Sequence, residues 1–241
     1  MRKNLKNAFT LTEILIAVTI IGTIAALTIP TFLASSTNQN TQYVAGLKKV
    51  YSEFNYATQQ IMANNSNSLK GLFSTSDAMV NQYCKYMKCS QICTAGNTVS
   101  GGCFNAQASM KMLNSQAFNF DPTQNTVSGF MLVDGSLVYV WAPSGQTGAC
   151  TYSSNGLTTI CGTITIDVNG FKAPNIMGRD IFNFWVLSAP PVGNAINTGI
   201  FPEGSIDNLT NYTTYCGPAS ADPTDGVACS GRVFNESKML Y

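Results

Sequence analysis

The sequence predicts an α+β fold: a long N-terminal helix, with a membrane half and an amphipathic half, packs on an antiparallel β-sheet head with disulfide-bonded loops. Three features predict it: an apolar run near the N-terminus, a helical repeat after it, and alternating apolar segments separated by turn residues. We divide the 241 residues into four parts. These are a leader (1–8), an apolar helix (9–29), its amphipathic continuation (30–64) and a globular head (65–241).

The apolar run extends from Phe9 to Ile29. As a helix it would rise about 31 Å, which matches a hydrocarbon core of about 30 Å. The basic residues Arg2, Lys3 and Lys6 precede it, so the positive-inside rule keeps the leader in the cytoplasm. The sequence therefore predicts a single pass through the inner membrane, with the head on the extracytoplasmic side.

The continuation of this helix is amphipathic, because its apolar residues recur at steps of three and four. They are Tyr43, Leu47, Val50, Tyr51, Phe54, Ala57 and Ile61. The polar run from Asn64 to Ser68 predicts the end of the helix. This apolar stripe is explained fully by packing under the head.

The head contains three strong strand signals. Between Gly129 and Trp141 two apolar runs flank Asp134-Gly135, a pair typical of tight hairpin turns. The segments 158–168 and 182–187 predict two further strands, and residues 80–87 predict a short helix.

Glu13 is out of place in the apolar run. A carboxylate at the bilayer centre costs about 2.5–3.5 kcal/mol on insertion scales, so an acid there suggests a function. The alternative is a glutamate near the interface that reaches water.

The segment AFTLTE, from Ala8 to Glu13, resembles the processing motif of type IV prepilins and type II secretion pseudopilins. In that family a prepilin peptidase cuts after a small residue, usually glycine, and the new N-terminal residue, usually phenylalanine, is N-methylated. The resemblance implies cleavage between Ala8 and Phe9 and methylation of Phe9. Ala8 departs from the commoner glycine but is also small. Pro30 matches a proline of the family pattern.

The resemblance implies a structural subunit, major or minor, of a type IV pilus or type II secretion pseudopilus, and not an enzyme. Its partners would be other pilin or pseudopilin subunits, prepilin peptidase and the inner membrane, and it would end in an extracytoplasmic filament at the cell surface. Glu13 would pair with the amine of Phe9 on a neighbouring subunit, since opposite charges attract strongly at low dielectric. Two alternatives stay open: a tip-located pilin for binding, adhesion or DNA uptake, and a membrane-anchored exported enzyme.

Composition disfavours catalysis and nucleic-acid binding. The chain has no histidine, which removes the commonest general base and transition-metal ligand. Its net charge is +1, and no basic block follows the leader. Phosphate neutralisation needs clustered lysine and arginine, so no nucleic-acid partner is predicted.

The eight cysteines predict disulfides, because their number is even and the leader indicates export. Cys150 and Cys161 flank a turn-rich segment and could close a hairpin. Cys216 and Cys229 flank a loop that resembles the C-terminal disulfide loop of many type IV pilins. The other four allow three pairings, with zinc as an alternative. They are Cys84, Cys89, Cys93 and Cys103.

A segment dense in Asp, Asn and Gly runs from Asp167 to Phe182. Asp167 and Asn169 stand in the D-x-N-G order that begins calcium loops, and Asp180 adds a third oxygen-bearing side chain. The glutamate that an EF-hand requires is missing. Two interpretations remain: calcium bound by Asp167, Asn169 and Asp180, or a turn held by Asx hydrogen bonds without metal.

Overall fold

The structure, a computed structural model, describes the backbone of residues 11–143, 148–188 and 199–241, and their side chains except those of 13 and 23–38. One compact unit comprises Gln42–Tyr241. The described residues before Gln42 belong to a second unit. The compact unit thus includes the last part of the first helix.

Helix α1 (Leu11–Ala63) ends directly before the Asn-rich segment that was expected to terminate it. Short helices follow it in the chain, and the first of them is capped by Thr75, whose hydroxyl oxygen accepts a hydrogen bond from the Ala78 N–H. They are α2 (Ser76–Tyr83), the 3₁₀ turn Gln107–Ser109, α3 (Tyr212–Tyr215) and α4 (Cys229–Glu236).

Seven antiparallel strands form one sheet in the order β1-β2-β3-β5-β6-β7, with β4 paired to β5. The strands are β1 (Cys89–Cys93), β2 (Val127–Leu132), β3 (Leu137–Trp141), β4 (Tyr152–Ser154), β5 (Leu157–Asp167), β6 (Ile181–Leu187) and β7 (Ile200–Pro202). The predicted hairpin is confirmed, since β2 and β3 pair directly across Asp134-Gly135. Gly135 has a φ of 89°, a conformation that favours glycine. The strands predicted at 158–168 and 182–187 correspond to β5 and β6.

One face of the sheet, which we call the helix-side face, packs against α1. Its side chains are Val138, Val140, Ile164, Ile166, Phe182 and Phe184. From α1, Leu47, Phe54 and Ala57 are fully buried in the same cluster, so the predicted apolar stripe is the core of the compact unit. Because strand side chains alternate, the other face carries the intervening residues. This mixed face consists of Tyr139, Trp141, Thr163, Thr165, Asn183 and Trp185, and Asp167 continues its line at the end of β5.

The predicted fold class, with its membrane half, is wrong for the part of the chain that the structure describes. No helix among the described residues is long and apolar enough to cross a membrane. Apart from α1, the described residues form mainly an antiparallel sheet with short helices.

The same finding contradicts the predicted transmembrane helix and the predicted single-pass location in the inner membrane. The disulfides remain, and they agree with an oxidising compartment.

Candidate functional site

The predicted processing position lies outside the described residues. Neither Ala8 nor Phe9 is described, and of Glu13 only the helical backbone is. Cleavage, methylation and the pairing of Glu13 therefore stay predictions.

The first described turns of α1 expose large apolar side chains. More than half of the surface of each is accessible, and successive residues of a helix are about 100° apart, so these side chains point in several directions around its axis. They are Leu11, Ile14, Leu15, Ile16, Val18, Ile20 and Ile21. Apolar surface in water costs about 25 cal/mol per Å², so this segment gains stability when something covers it.

All eight cysteines are paired in disulfides. Cys150 is bonded to Cys161 and Cys216 to Cys229, the two pairs that the sequence suggested. The open question among the other four is resolved as Cys84–Cys89 and Cys93–Cys103. With every sulfur in a disulfide, no thiolate remains to bind zinc.

The structure brings Asp167, Asn169 and Asp180 together at the end of β5. Both aspartates are fully buried. Oδ2 of Asp167 accepts a hydrogen bond from Nδ2 of Asn105 at 2.9 Å, and its Oδ1 accepts one from the N–H of Asn169 at 3.2 Å. Burial, and then repulsion by the Asp180 carboxylate, raise the pKa of Asp167 to about 8.

Asp180 is held in the same way by backbone donors. Its Oδ2 accepts from the N–H of Asn175 at 2.8 Å and its Oδ1 from the N–H of Ile176 at 2.7 Å. Burial raises its pKa above the ordinary value. Oδ1 of Asn169 is buried and has no hydrogen-bond partner within the described part of the chain. Among the described residues no group of three His, Cys, Asp or Glu is placed to hold a metal ion. The geometry favours the hydrogen-bonded turn, and the calcium hypothesis stays a prediction.

A cavity of about 270 Å³ opens on the mixed face, and we call it the aromatic pocket. Aromatic side chains form much of its wall: Phe120, Tyr139, Trp141, Tyr152 and Trp185. Trp141 and Tyr152 meet edge to face with their ring centres 5.1 Å apart. The register explains the grouping, since Trp141 pairs with Thr163 and Thr163 with Trp185 on adjacent strands.

Polar groups complete the lining of the aromatic pocket. Asn119 and Gln124 lie exposed at its edge, and Asn183 and Glu203 lie buried in it. Burial, and then repulsion by Asp207, raise the pKa of Glu203 to about 8, while a hydrogen bond with the Asn183 side chain acts against this. Asp207 itself accepts a hydrogen bond from Nε1 of Trp185 at 2.6 Å, which fixes that ring.

Sequence reasoning missed this pocket. Trp141, Tyr152, Trp185 and Glu203 come from four different strands or strand ends and share no local motif. One signal was present: both tryptophans occupy positions that alternate with apolar residues in the predicted strands, so both belong to the face away from the helix.

No family model matches the chain, and no curated protein or solved structure shows significant similarity to it.

Proposed function

We propose that this chain is a structural subunit of the pilin or pseudopilin kind, cut by prepilin peptidase after Ala8 and assembled with similar subunits into a filament outside the cytoplasm. The observation that carries the proposal is the AFTLTE motif from Ala8 to Glu13 behind a short basic leader. A small residue, a phenylalanine and an acid stand there at the spacing that the processing motif requires.

The exposed apolar residues of α1 support assembly. This part of α1 exposes leucine and isoleucine in several directions, so it is stabilised when other apolar surface packs against it. The equivalent helices of neighbouring subunits would supply such a surface. Glu13 would then set the register, because an unpaired carboxylate among apolar helices is costly and its pairing with the Phe9 amine removes that cost.

The disulfides support a place outside the cytoplasm. Four disulfides cross-link the compact unit. In this unit α1 and the sheet pack together around a continuous apolar core. Such bonds form and persist in oxidising compartments.

The proposal is tested by co-producing the full chain with a prepilin peptidase and identifying its N-terminus by mass spectrometry. We expect the chain to begin at Phe9 and to carry an N-methyl group. An Ala8→Gly variant, with the commoner residue, should be cut at least as completely. An intact Met1 after co-production would refute the assignment.

Assembly is tested separately with Leu15→Glu, which places a charge on the uncovered part of α1. We expect sheared filament fractions to lose the variant. The matched control is Tyr56→Glu, at an exposed position on the same helix within the compact unit. Equal amounts of both variants in filaments would exclude the helical contact.

A further inference from the structure

We propose that the aromatic pocket binds a neutral sugar residue. The inference goes beyond filament assembly and is independent of it, since every described residue that lines the pocket lies within Gln42–Tyr241.

The wall of the pocket has two chemistries that occur together on a sugar ring. Trp141, Tyr152 and Phe120 are half-buried and offer flat apolar surfaces, which suit the C–H face of a pyranose. Asn119, Gln124 and Thr163 offer amide and hydroxyl groups, which both donate and accept hydrogen bonds. The hydroxyl groups of a sugar also donate and accept hydrogen bonds. Each of them can therefore find both a donor and an acceptor on this wall.

The charges on the wall exclude anionic ligands. No lysine or arginine belongs to the described lining, which contains the carboxyl groups of Asp121 and Glu203. A phosphate or an acidic sugar would meet the carboxylate of Asp121 and no cation among the described residues of the wall. Glu203 is 6% exposed, and its raised pKa keeps the carboxyl group largely protonated near neutrality, so it can donate a hydrogen bond to a ligand hydroxyl.

An aromatic pocket can also hold a quaternary ammonium ion. The ammonium group of such an ion accepts no hydrogen bond and donates none, so the amide and hydroxyl groups of the wall would gain no partner from it. The mixture of amides and hydroxyls therefore favours a polyhydroxylated ligand over a cation.

The aromatic pocket is small for a ligand site. A volume of about 270 Å³ falls just below the range of about 300–1,000 Å³ that is typical of small-molecule pockets. Trp185 is held by its hydrogen bond to Asp207, and its ring is 5% exposed, so this part of the wall is preformed.

The chain contains two tryptophans, and both line the pocket. Intrinsic tryptophan fluorescence of the full chain therefore reports directly on occupancy. We expect at least one of glucose, galactose, mannose, N-acetylglucosamine and N-acetylgalactosamine to give a saturable change at millimolar concentration. Choline chloride and inorganic phosphate, titrated in the same way, should give none.

Two variants locate the binding. Tyr152→Ala removes a ring of the wall, and Gln124→Ala removes an exposed amide whose loss should leave the fold intact. We expect each to weaken binding of the responding sugar about tenfold. Tyr56→Ala, an exposed tyrosine on α1 outside the pocket, should bind as the unaltered chain does.

The proposal is overturned if none of the five sugars gives a saturable change. It is also overturned if choline alone responds, or if Gln124→Ala and Tyr152→Ala both keep full affinity while their circular dichroism shows a folded chain.

Discussion

On the helix-side face of the sheet the buried side chains are valine, isoleucine and phenylalanine, whereas the mixed face buries threonine and asparagine among its aromatic rings. The first face is covered by α1 in one continuous core. On the mixed face, two smaller hydrophobic clusters leave the aromatic pocket open. Apolar burial therefore stabilises the helix-side face, whereas the mixed face also needs a hydrogen-bond partner for each buried polar group.

The largest effect is expected on the helix-side face. Phe54 of α1 is fully buried and its ring centre lies 5.2 Å from that of Tyr83. Phe54→Ala should lower the free energy of unfolding by about 3–5 kcal/mol, because it removes apolar contacts and leaves a cavity. Urea denaturation of the full chain with its disulfides intact measures this. Tyr56→Ala, two residues away but exposed, should stay within about 0.5 kcal/mol. Similar losses for both would mean that α1 does not pack as described.

The helix-side face was the part of the fold that sequence could predict. Its residues alternate along β3 and along the last part of β5, and they recur at helical steps along α1, because the sheet and the helix each bury one side against the other. The hairpin at Asp134-Gly135 was predictable because few residue pairs suit so tight a turn.

The mixed face was not predictable in the same way. Glu203 and Asn183 interact through the pairing of β6 with β7, and β7 is only three residues long, too short for a periodic signal. The sequence indicated that the three candidate calcium residues lie near one another. It gave no sign of Asn105, which lies 62 residues before Asp167 and donates to it.

The second largest effect is the loss of stability when a disulfide is removed, compared between the mixed face and the helix-side face. Cys216 and Cys229, 13 positions apart, belong to a cluster on the mixed face, whereas Cys84 and Cys89, 5 apart, pack at the edge of the helix-side core. In the chain-entropy model the longer loop contributes about 3 kcal/mol and the shorter about 2 kcal/mol. A double Cys→Ser variant of each pair is compared with the unaltered chain by urea denaturation. The loss of unfolding free energy should be larger for the Cys216–Cys229 variant than for the Cys84–Cys89 variant. Equal losses would show that loop length does not govern them.

Titration of Glu203 gives a smaller effect that is confined to the mixed face. Its pKa is raised to about 8 in the folded chain, from an ordinary 4.5. Between these values the folded state binds more protons than the unfolded state, so stability falls as pH rises through the window and levels off above pH 8. Glu203→Gln removes this contribution.

The matched comparison is between the chain and this variant, because the pKa values of Asp167, Asp180 and Asp225 are also raised and give the same sign. From pH 6 to pH 7 the unaltered chain should lose about 1.4 kcal/mol more than Glu203→Gln. Parallel pH profiles would show that Glu203 is ionised in the folded chain.

A single hydroxyl tests the dependence on polar partners. Thr165 is buried on the mixed face and donates a hydrogen bond to Oδ1 of Asn183. Thr165→Val keeps the shape but leaves that oxygen without this donor, which should cost about 1 kcal/mol after the gain from the added methyl group. Thr165→Ser keeps the hydroxyl and loses the buried methyl group instead, so it measures the packing contribution separately. A Thr165→Val chain as stable as the original would mean that the mixed face tolerates an unsatisfied acceptor.

The smallest effect concerns calcium, for which we expect no change. Calcium takes six to eight oxygen ligands, and the four carboxylate oxygens of Asp167 and Asp180 already face N–H donors. A bound cation would have to displace Asn105 and the backbone donors of Asn175 and Ile176. Oδ1 of Asn169 alone, among these three side chains, has no partner within the described residues.

The melting temperature of the full chain should therefore be the same in millimolar calcium and in chelator. A site that binds only the folded state would instead add about 2.7 kcal/mol at a hundredfold excess over Kd. A rise in melting temperature that Asp167→Asn abolishes would make the loop a calcium site. It would then show that Asp167 and Asp180 are held by an external partner, whereas an unchanged melting curve means that N–H donors of the protein are sufficient for these two acids.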